Sequence, residues 1–113
     1  MQFKRALLIA LFGTAGMLVA AGAASADPWN ERHPRRAEVN HRLAEQDMRI
    51  NRDYRDGRIS FRQARRLHAE DRVIRQQERF DARFDGGHIS RPEQRALNQD
   101  ENGVSRQIWR DAH

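Results

Sequence analysis

Five arginines in the middle of the chain could bind phosphate groups. On a helix at about 100° per residue, all five fall within an arc of about 100°. They are Arg62, Arg65, Arg72, Arg79 and Arg83. Guanidinium groups in such an arc can neutralise the phosphates of nucleic acid, lipopolysaccharide or phospholipid headgroups. The pattern lacks the interleaved aromatic residues of a base-stacking platform.

Acidic residues occupy the other half of the same helix, beside Leu67 and Ile74. They are Glu70, Asp71, Glu78, Asp81 and Asp85. One interpretation places these acids near the seam of a helical bundle, paired with arginines of the two other helices. The alternative is that the whole charge pattern is a solvated helix surface.

No other set of residues forms a catalytic or metal-binding motif. When Gly57 or Gly87 is aligned with the glycine of a calcium loop, three or more oxygen ligands are missing. Aligning Gly103 with the loop glycine gives better oxygen ligands, but Trp109 then occupies the position at which the loop requires glutamate. No two histidines lie three or four residues apart, as a helical zinc pair requires, and no nucleophile elbow, P-loop or Rossmann motif occurs. The sequence therefore predicts no catalytic residue, no metal ligand and no cofactor.

The arginine helix is part of a 30-residue repeat. Residues 56–63 (DGRISFRQ) return as residues 86–93 (GGHISRPE). The flanks match at the same offset: Gln46 with Gln76, Arg49 with Arg79, and Leu67 with Leu97. Glycine supplies the left-handed turn that ends one helix, and serine forms a capping box with the residue three positions later. The predicted turn and cap residues are Gly57, Ser60, Gln63, Gly86, Gly87, Ser90 and Glu93.

The spacing of apolar residues between these turns predicts three helices. Their expected ranges are about 34–55, 60–85 and 90–111. In the first helix, Gln46 and Asp47 fill a gap in the apolar stripe, so its seam should be partly polar.

The second helix carries two apolar strips. Leu67 and Ile74 form one, and Val73, Phe80 and Phe84 form another that lies roughly 100° away around the helix. Two strips predict a central helix that packs against two neighbours.

The third helix contains a glycine. A glycine inside a helix costs up to about 1 kcal/mol against alanine. Gly103 therefore predicts a kink or a short break there.

Residues 1–26 have the pattern of a Sec-type signal peptide. Lys4 and Arg5 precede an apolar run over 6–24, and the small residues at 24–26 (ASA) predict cleavage after Ala26. An uncleaved anchor is the alternative, but the run is rich in alanine and glycine and lacks a stop-transfer flank. The mature protein is therefore predicted to be periplasmic or secreted. Contact with the membrane is expected only through the signal peptide, before cleavage.

The chain after the leader is one small domain at most. Residues 27–33 are polar and proline-flanked, which predicts a flexible lead-in to a domain over 34–113. Large apolar residues are few, so we expect a thin bundle, or one completed by self-association. Because Lys4 and Arg5 lie in the leader and all 16 acidic residues follow it, the formal net charge falls from +5 to +3. The absence of cysteine excludes disulfides and thiolate chemistry.

Four short motifs resemble a widespread family of small, uncharacterised exported bacterial proteins. They are HPRRAEVN at 33–40, GGHIS at 86–90, LNQ followed by EN over 97–102, and DAH at 111–113. The resemblance spans nearly all of the mature chain and implies an exported, mostly helical protein with a glycine-turn repeat. It brings no activity, cofactor or site residue. Gly103 departs from the helix-forming residue expected at that position.

A looser likeness concerns the two caps. Ile59-Ser60-x-x-Gln63 and Ile89-Ser90-x-x-Glu93 resemble the L-T-x-x-Q motifs of the Spy-type periplasmic chaperones, which are also small, basic, helical and exported. The motif is little more than a capping box.

The sequence thus predicts an all-α fold of three amphipathic helices joined by two glycine turns. We expect a non-enzymatic exported protein with an envelope-associated binding or stress-related role. Two alternatives stay open: polyanion binding through the arginine arc, and a Spy-like chaperone. The corresponding partners are envelope polyanions, unfolded client proteins or a second copy of the chain.

Overall fold

The computed structural model describes residues 28–113. The first helix, α1, spans Pro28–Arg32 and precedes a compact unit over His33–His113. Pro28 suits a first helical turn, since its fixed φ is already helical and its missing N–H would have no partner there. Residues 28–32 are therefore helical, within the segment over 27–33 that is predicted to be a flexible lead-in. The predicted signal peptide, 1–26, lies outside the described residues.

Three long helices form the compact unit, and each packs against the other two. They are α2 (Pro34–Arg55), α3 (Phe61–Arg83) and α4 (Arg91–Ala112). Residues 28–113 contain no β-strand. The prediction of an all-α fold is confirmed, and the helix ends lie within two residues of the expected ranges.

The two turns between these helices share one design. The Ser60 hydroxyl accepts the Gln63 N–H at 3.0 Å, while the Gln63 side chain accepts the Ser60 N–H at 2.8 Å. Ser90 and Glu93 make the same two bonds at 3.2 and 2.8 Å. Gly57, Gly86 and Gly87 have positive φ angles of 78°, 59° and 91°. Each turn thus ends one helix with glycine and begins the next with a capping box.

The core is a single seam along the three helices. Its buried residues, polar ones included, recur at steps of three and four, the spacing of knobs-into-holes packing. The large apolar residues that are fully or almost fully buried are Val39, Leu43, Ile50, Ile59, Leu67, Ile74, Ile89, Leu97, Val104 and Ile108. The first apolar strip of α3, Leu67 with Ile74, lies in this seam.

The second apolar strip of α3 is exposed, so its predicted role in packing is wrong. Val73, Phe80 and Phe84 retain 62%, 48% and 74% of their accessible surface. The buried residues of α3 all fall in one arc of about 80° on a helical wheel, and this arc contacts both α2 and α4. A three-helix bundle therefore leaves no neighbour for a second strip.

The predicted break at Gly103 is also wrong, because α4 runs without interruption from Arg91 to Ala112. Glu101 and Val104, on either side of the glycine, are both buried in the seam. Tertiary packing of this kind outweighs a local propensity penalty of about 1 kcal/mol.

Replacing Gly103 with alanine is expected to raise the free energy of unfolding by about 1 kcal/mol. A Cβ atom at this position meets only the Arg106 Nη2 atom, at 3.9 Å, and the backbone is already helical. Urea denaturation would measure the change.

The matched control for this substitution is Gly57→Ala. Gly57 is equally free of steric contacts, but its φ of +78° strains any residue with a Cβ, so this variant should lose stability by ~1 kcal/mol. A Gly103→Ala variant no more stable than the native protein would contradict the prediction.

Candidate functional site

The outward side of α3 carries the five predicted arginines, and all five are exposed. We call this set the arginine face: Arg62, Arg65, Arg72, Arg79 and Arg83. Within residues 28–113, no carboxylate lies within 4.0 Å of these five guanidinium groups, whereas Arg36, Arg42, Arg66 and Arg75 each meet one. The arginine face therefore keeps its positive charge available for an external anion.

Aromatic rings lie beside two of these arginines, which the sequence pattern did not predict. The Arg65 guanidinium stands 5.7 Å from the centroid of the Phe61 ring, and that of Arg83 stands 5.9 Å from the Phe80 ring. Phe80 in turn meets Phe84 edge-on, with centroids 4.9 Å apart. Helical periodicity predicts a packed position for Phe80 and Phe84, and it therefore gives no sign of their place beside the arginines.

An open depression of about 440 Å³ marks the N-terminal half of this surface. Four of its six lining residues are arginines, and the others are apolar. They are Phe61, Arg62, Arg65, Arg66, Ala69 and Arg72. Several guanidinium groups that border one depression can reach neighbouring phosphates of a single ligand.

The acids of α3 lie on the side turned away from the arginine face or beside it. Asp71 and Glu78 are buried in the seam, and Glu70 and Asp81 are half-buried at its edges. Glu78 forms an ion pair with Arg36 of α2. Within the described chain it is the one acid of α3 that pairs with an arginine of another helix, so the predicted pairing holds for Glu78 and not for the rest. The opposite signs of charge are thus segregated across α3.

A polar layer crosses the middle of the core. It consists of Gln46, Asp71 and Glu101, one from each long helix, and all three are buried. The Gln46 side-chain amide donates to the Glu101 carbonyl at 2.6 Å, and Arg42 Nε lies 3.6 Å from the Glu101 carboxylate. Both Glu101 carboxyl oxygens are without a hydrogen-bond partner among residues 28–113.

Both carboxyl groups of the polar layer have raised pKa values. Burial raises the pKa of Asp71 from 3.8 to about 8, and the neighbouring Asp47 carboxylate adds to the increase because it repels an ionised Asp71. Burial likewise raises the pKa of Glu101 from 4.5 to about 8, although Arg42 partly opposes the change. These groups are held protonated near neutral pH, and they lie in the interior, away from the arginine face.

The histidines of the described chain make local contacts. His68 bridges Asp47 at 3.0 Å and Asn51 at 2.9 Å, and the rings of His33 and His88 stack with centroids 4.7 Å apart. No three histidine, aspartate or glutamate side chains within residues 28–113 converge as ligands of one metal ion. In the same range, no helix combines the length and hydropathy needed to cross a membrane.

No protein-family model, curated protein or solved structure matches this chain. The class of this protein is therefore assigned from its fold and its surface alone. The chain contains an all-α three-helix bundle whose second long helix presents arginine and phenylalanine outward.

Proposed function

We propose that this is a non-enzymatic exported protein that binds a polyanion of the cell envelope through the arginine face. The observation that carries the proposal is the set of five exposed guanidinium groups with no carboxylate within 4.0 Å in residues 28–113. A net charge of only +3 after the leader is compatible with it, because the acids of α3 are kept off this side. The leader-like pattern over 1–26 supports the exported location.

The expected physical signature is electrostatic. Each arginine that neutralises a phosphate releases condensed counterions, so the logarithm of the affinity falls linearly with the logarithm of the salt concentration. With up to five contacts, the affinity should fall steeply between ~50 and ~200 mM salt. A binding surface made of apolar groups alone would show little of this dependence.

The test measures binding of the exported, processed protein to a labelled DNA duplex and to lipopolysaccharide across a salt series. One variant changes Arg62, Arg65, Arg72, Arg79 and Arg83 to glutamine. Native protein should bind tightly at low salt and lose affinity as salt rises, while this variant should bind at least ~10-fold more weakly and with a shallower salt slope.

A matched control removes the same charge elsewhere. It changes five other exposed arginines to glutamine: Arg52, Arg55, Arg91, Arg95 and Arg106. This control should retain most of the affinity. If both variants lose affinity equally, binding depends on net charge and the arginine face is not a site; if neither ligand binds, the proposal fails.

A second candidate function is binding of unfolded clients, as in a Spy-like chaperone. It is favoured by the number of large apolar side chains left at the surface: Met48, Tyr54, Phe61, Val73, Phe80, Phe84 and Trp109. A chaperone should suppress aggregation of an unfolded client at moderate salt, where binding to a polyanion weakens. A pure polyanion binder should not suppress it.

A further inference from the structure

We propose that the polyanion bound by this protein is an anionic lipid surface, into which the exposed apolar residues of α3 insert. This inference rests on the proposed function and names its ligand. The occupant is the headgroup region of a membrane leaflet that carries phosphate groups, with α3 lying in the plane of the surface. The second apolar strip, which consists of Val73, Phe80 and Phe84, is called the outer apolar strip from this point.

The outer apolar strip runs along α3 and ends at Phe84, the residue that caps the C-terminus of the helix. Its residues are separated by seven and four positions, so they stay on one side over a length of about 17 Å at 1.5 Å per residue. All three are exposed. An exposed apolar line of this kind is typical of helices that lie at a membrane interface.

A line of arginines runs beside the strip with the same spacing. Each strip residue directly follows an arginine of the arginine face, in the pairs Arg72-Val73, Arg79-Phe80 and Arg83-Phe84. On a wheel the two lines lie about 100° apart. When the strip enters the acyl boundary, the long arginine side chains can reach the level of the phosphates.

The two parts of the surface supply two separate sources of membrane affinity. A short apolar line binds a bilayer only weakly, and stable attachment takes a second signal such as a basic patch. Arginines near an anionic leaflet provide that signal, and their effect is screened by salt. No acidic residue of α3 falls within the arc shared by the strip and the arginine face, and the nearest, Glu70, lies beside Val73 at the edge of that arc.

The aromatic geometry favours lipid over a nucleic acid. Base stacking requires open ring faces, but Phe80 and Phe84 meet edge-on at an interplanar angle of 68°, and the Arg83 guanidinium lies over the Phe80 ring. Val73 offers no ring at all. Insertion into acyl chains makes no such demand on ring orientation, since it depends on apolar area.

The test compares binding to vesicles of phosphatidylcholine and of equimolar phosphatidylcholine and phosphatidylglycerol, with the DNA duplex as a soluble polyanion. The strip variant carries Val73→Ser, Phe80→Ser and Phe84→Ser. We expect the native protein to bind the anionic vesicles, and the strip variant to bind them at least ~10-fold more weakly. Its affinity for DNA at low salt should stay within about twofold, because the arginines are intact.

The control variant changes three exposed apolar residues elsewhere to serine: Met48, Tyr54 and Trp109. It should bind anionic vesicles like the native protein. Normal vesicle binding by the strip variant would overturn the lipid inference and leave polyanion binding standing. Full binding by the five-glutamine variant would instead refute the proposed function, so the two failures are distinct.

A second measurement reports insertion directly. Phe84→Trp is made in a background with Trp29→Phe and Trp109→Phe, so that one tryptophan marks the strip. On anionic vesicles with brominated acyl chains, its fluorescence should be quenched relative to the same vesicles with unbrominated chains, and only contact with the acyl chains produces that difference. A protein bound to vesicles but not quenched, or one that binds DNA and no vesicle, would overturn the proposal.

Discussion

Raising the pH from about 5 to about 8 is expected to lower the free energy of unfolding by ~3 kcal/mol for each of two buried carboxyl groups. The pKa values of Asp71 and Glu101 are about 8 in the folded protein and near 4 when these groups are exposed. The folded protein therefore holds protons that the unfolded chain releases. The stabilisation is complete below about pH 4 and is lost as the pH rises through about 8.

Amide substitutions test the origin of this effect. Asp71→Asn and Glu101→Gln keep the shape of each side chain and cannot ionise. Each variant should therefore lose less stability than the native protein when the pH rises from 5 to 8. Guanidinium denaturation at intervals across this range would measure both. Asp56→Asn, at an exposed position, is the control and should keep the native slope. A native protein with equal stability at pH 5 and pH 8 would refute the prediction.

The polar layer also shows which parts of the core can be predicted from the sequence. Gln46 fills a gap in the apolar stripe of α2, and this predicted a partly polar seam. Asp71 and Glu101 are related by the same 30-residue offset as Leu67 and Leu97, so their burial could have been inferred from the repeat. The offset fails upstream of the first turn, where Gln46 is buried but Gln76 is exposed. The repeat therefore holds for each turn and the helix after it.

The helix ends were predictable because their causes are local. Positive φ at Gly57 and the cap of Ser60 act within a few residues of chain. The fate of the outer apolar strip was not predictable in this way, because exposure depends on how many helices surround α3. A fourth helix would have covered Val73, Phe80 and Phe84; a bundle of three does not.

The sequence predicts the charged part of the candidate site but not its aromatic part. Helical periodicity alone placed the five arginines on one side of α3. The aromatic component was missed, although a signal for it existed: Phe80 and Phe84 each follow an arginine, and on a wheel they lie nearer to the arginine arc than to Leu67 and Ile74. A strip next to the most charged side of a helix favours a surface role over a place in the core.

Replacing Arg36 with methionine is expected to lower the free energy of unfolding by ~3–5 kcal/mol. Glu78 is 99% buried, and Arg36 is its ion-pair partner across the α2–α3 interface. Arg36 also donates to the Gly87 carbonyl at 3.1 Å, which ties α2 to the turn between α3 and α4. Loss of the guanidinium leaves a buried carboxylate without its partner and a carbonyl without its donor.

The double variant Arg36→Met/Glu78→Met separates these costs. Apolar side chains of similar volume can replace both members of a buried ion pair with little loss, so the double variant should recover most of the stability lost by Arg36→Met. What it fails to recover includes the bond with Gly87, expected at about 1 kcal/mol. Arg52→Met is the control at an exposed position and should change stability by less than ~0.5 kcal/mol. A double variant as unstable as Arg36→Met would show that the ion pair itself, and not the burial of an unpaired charge, holds α2 against α3.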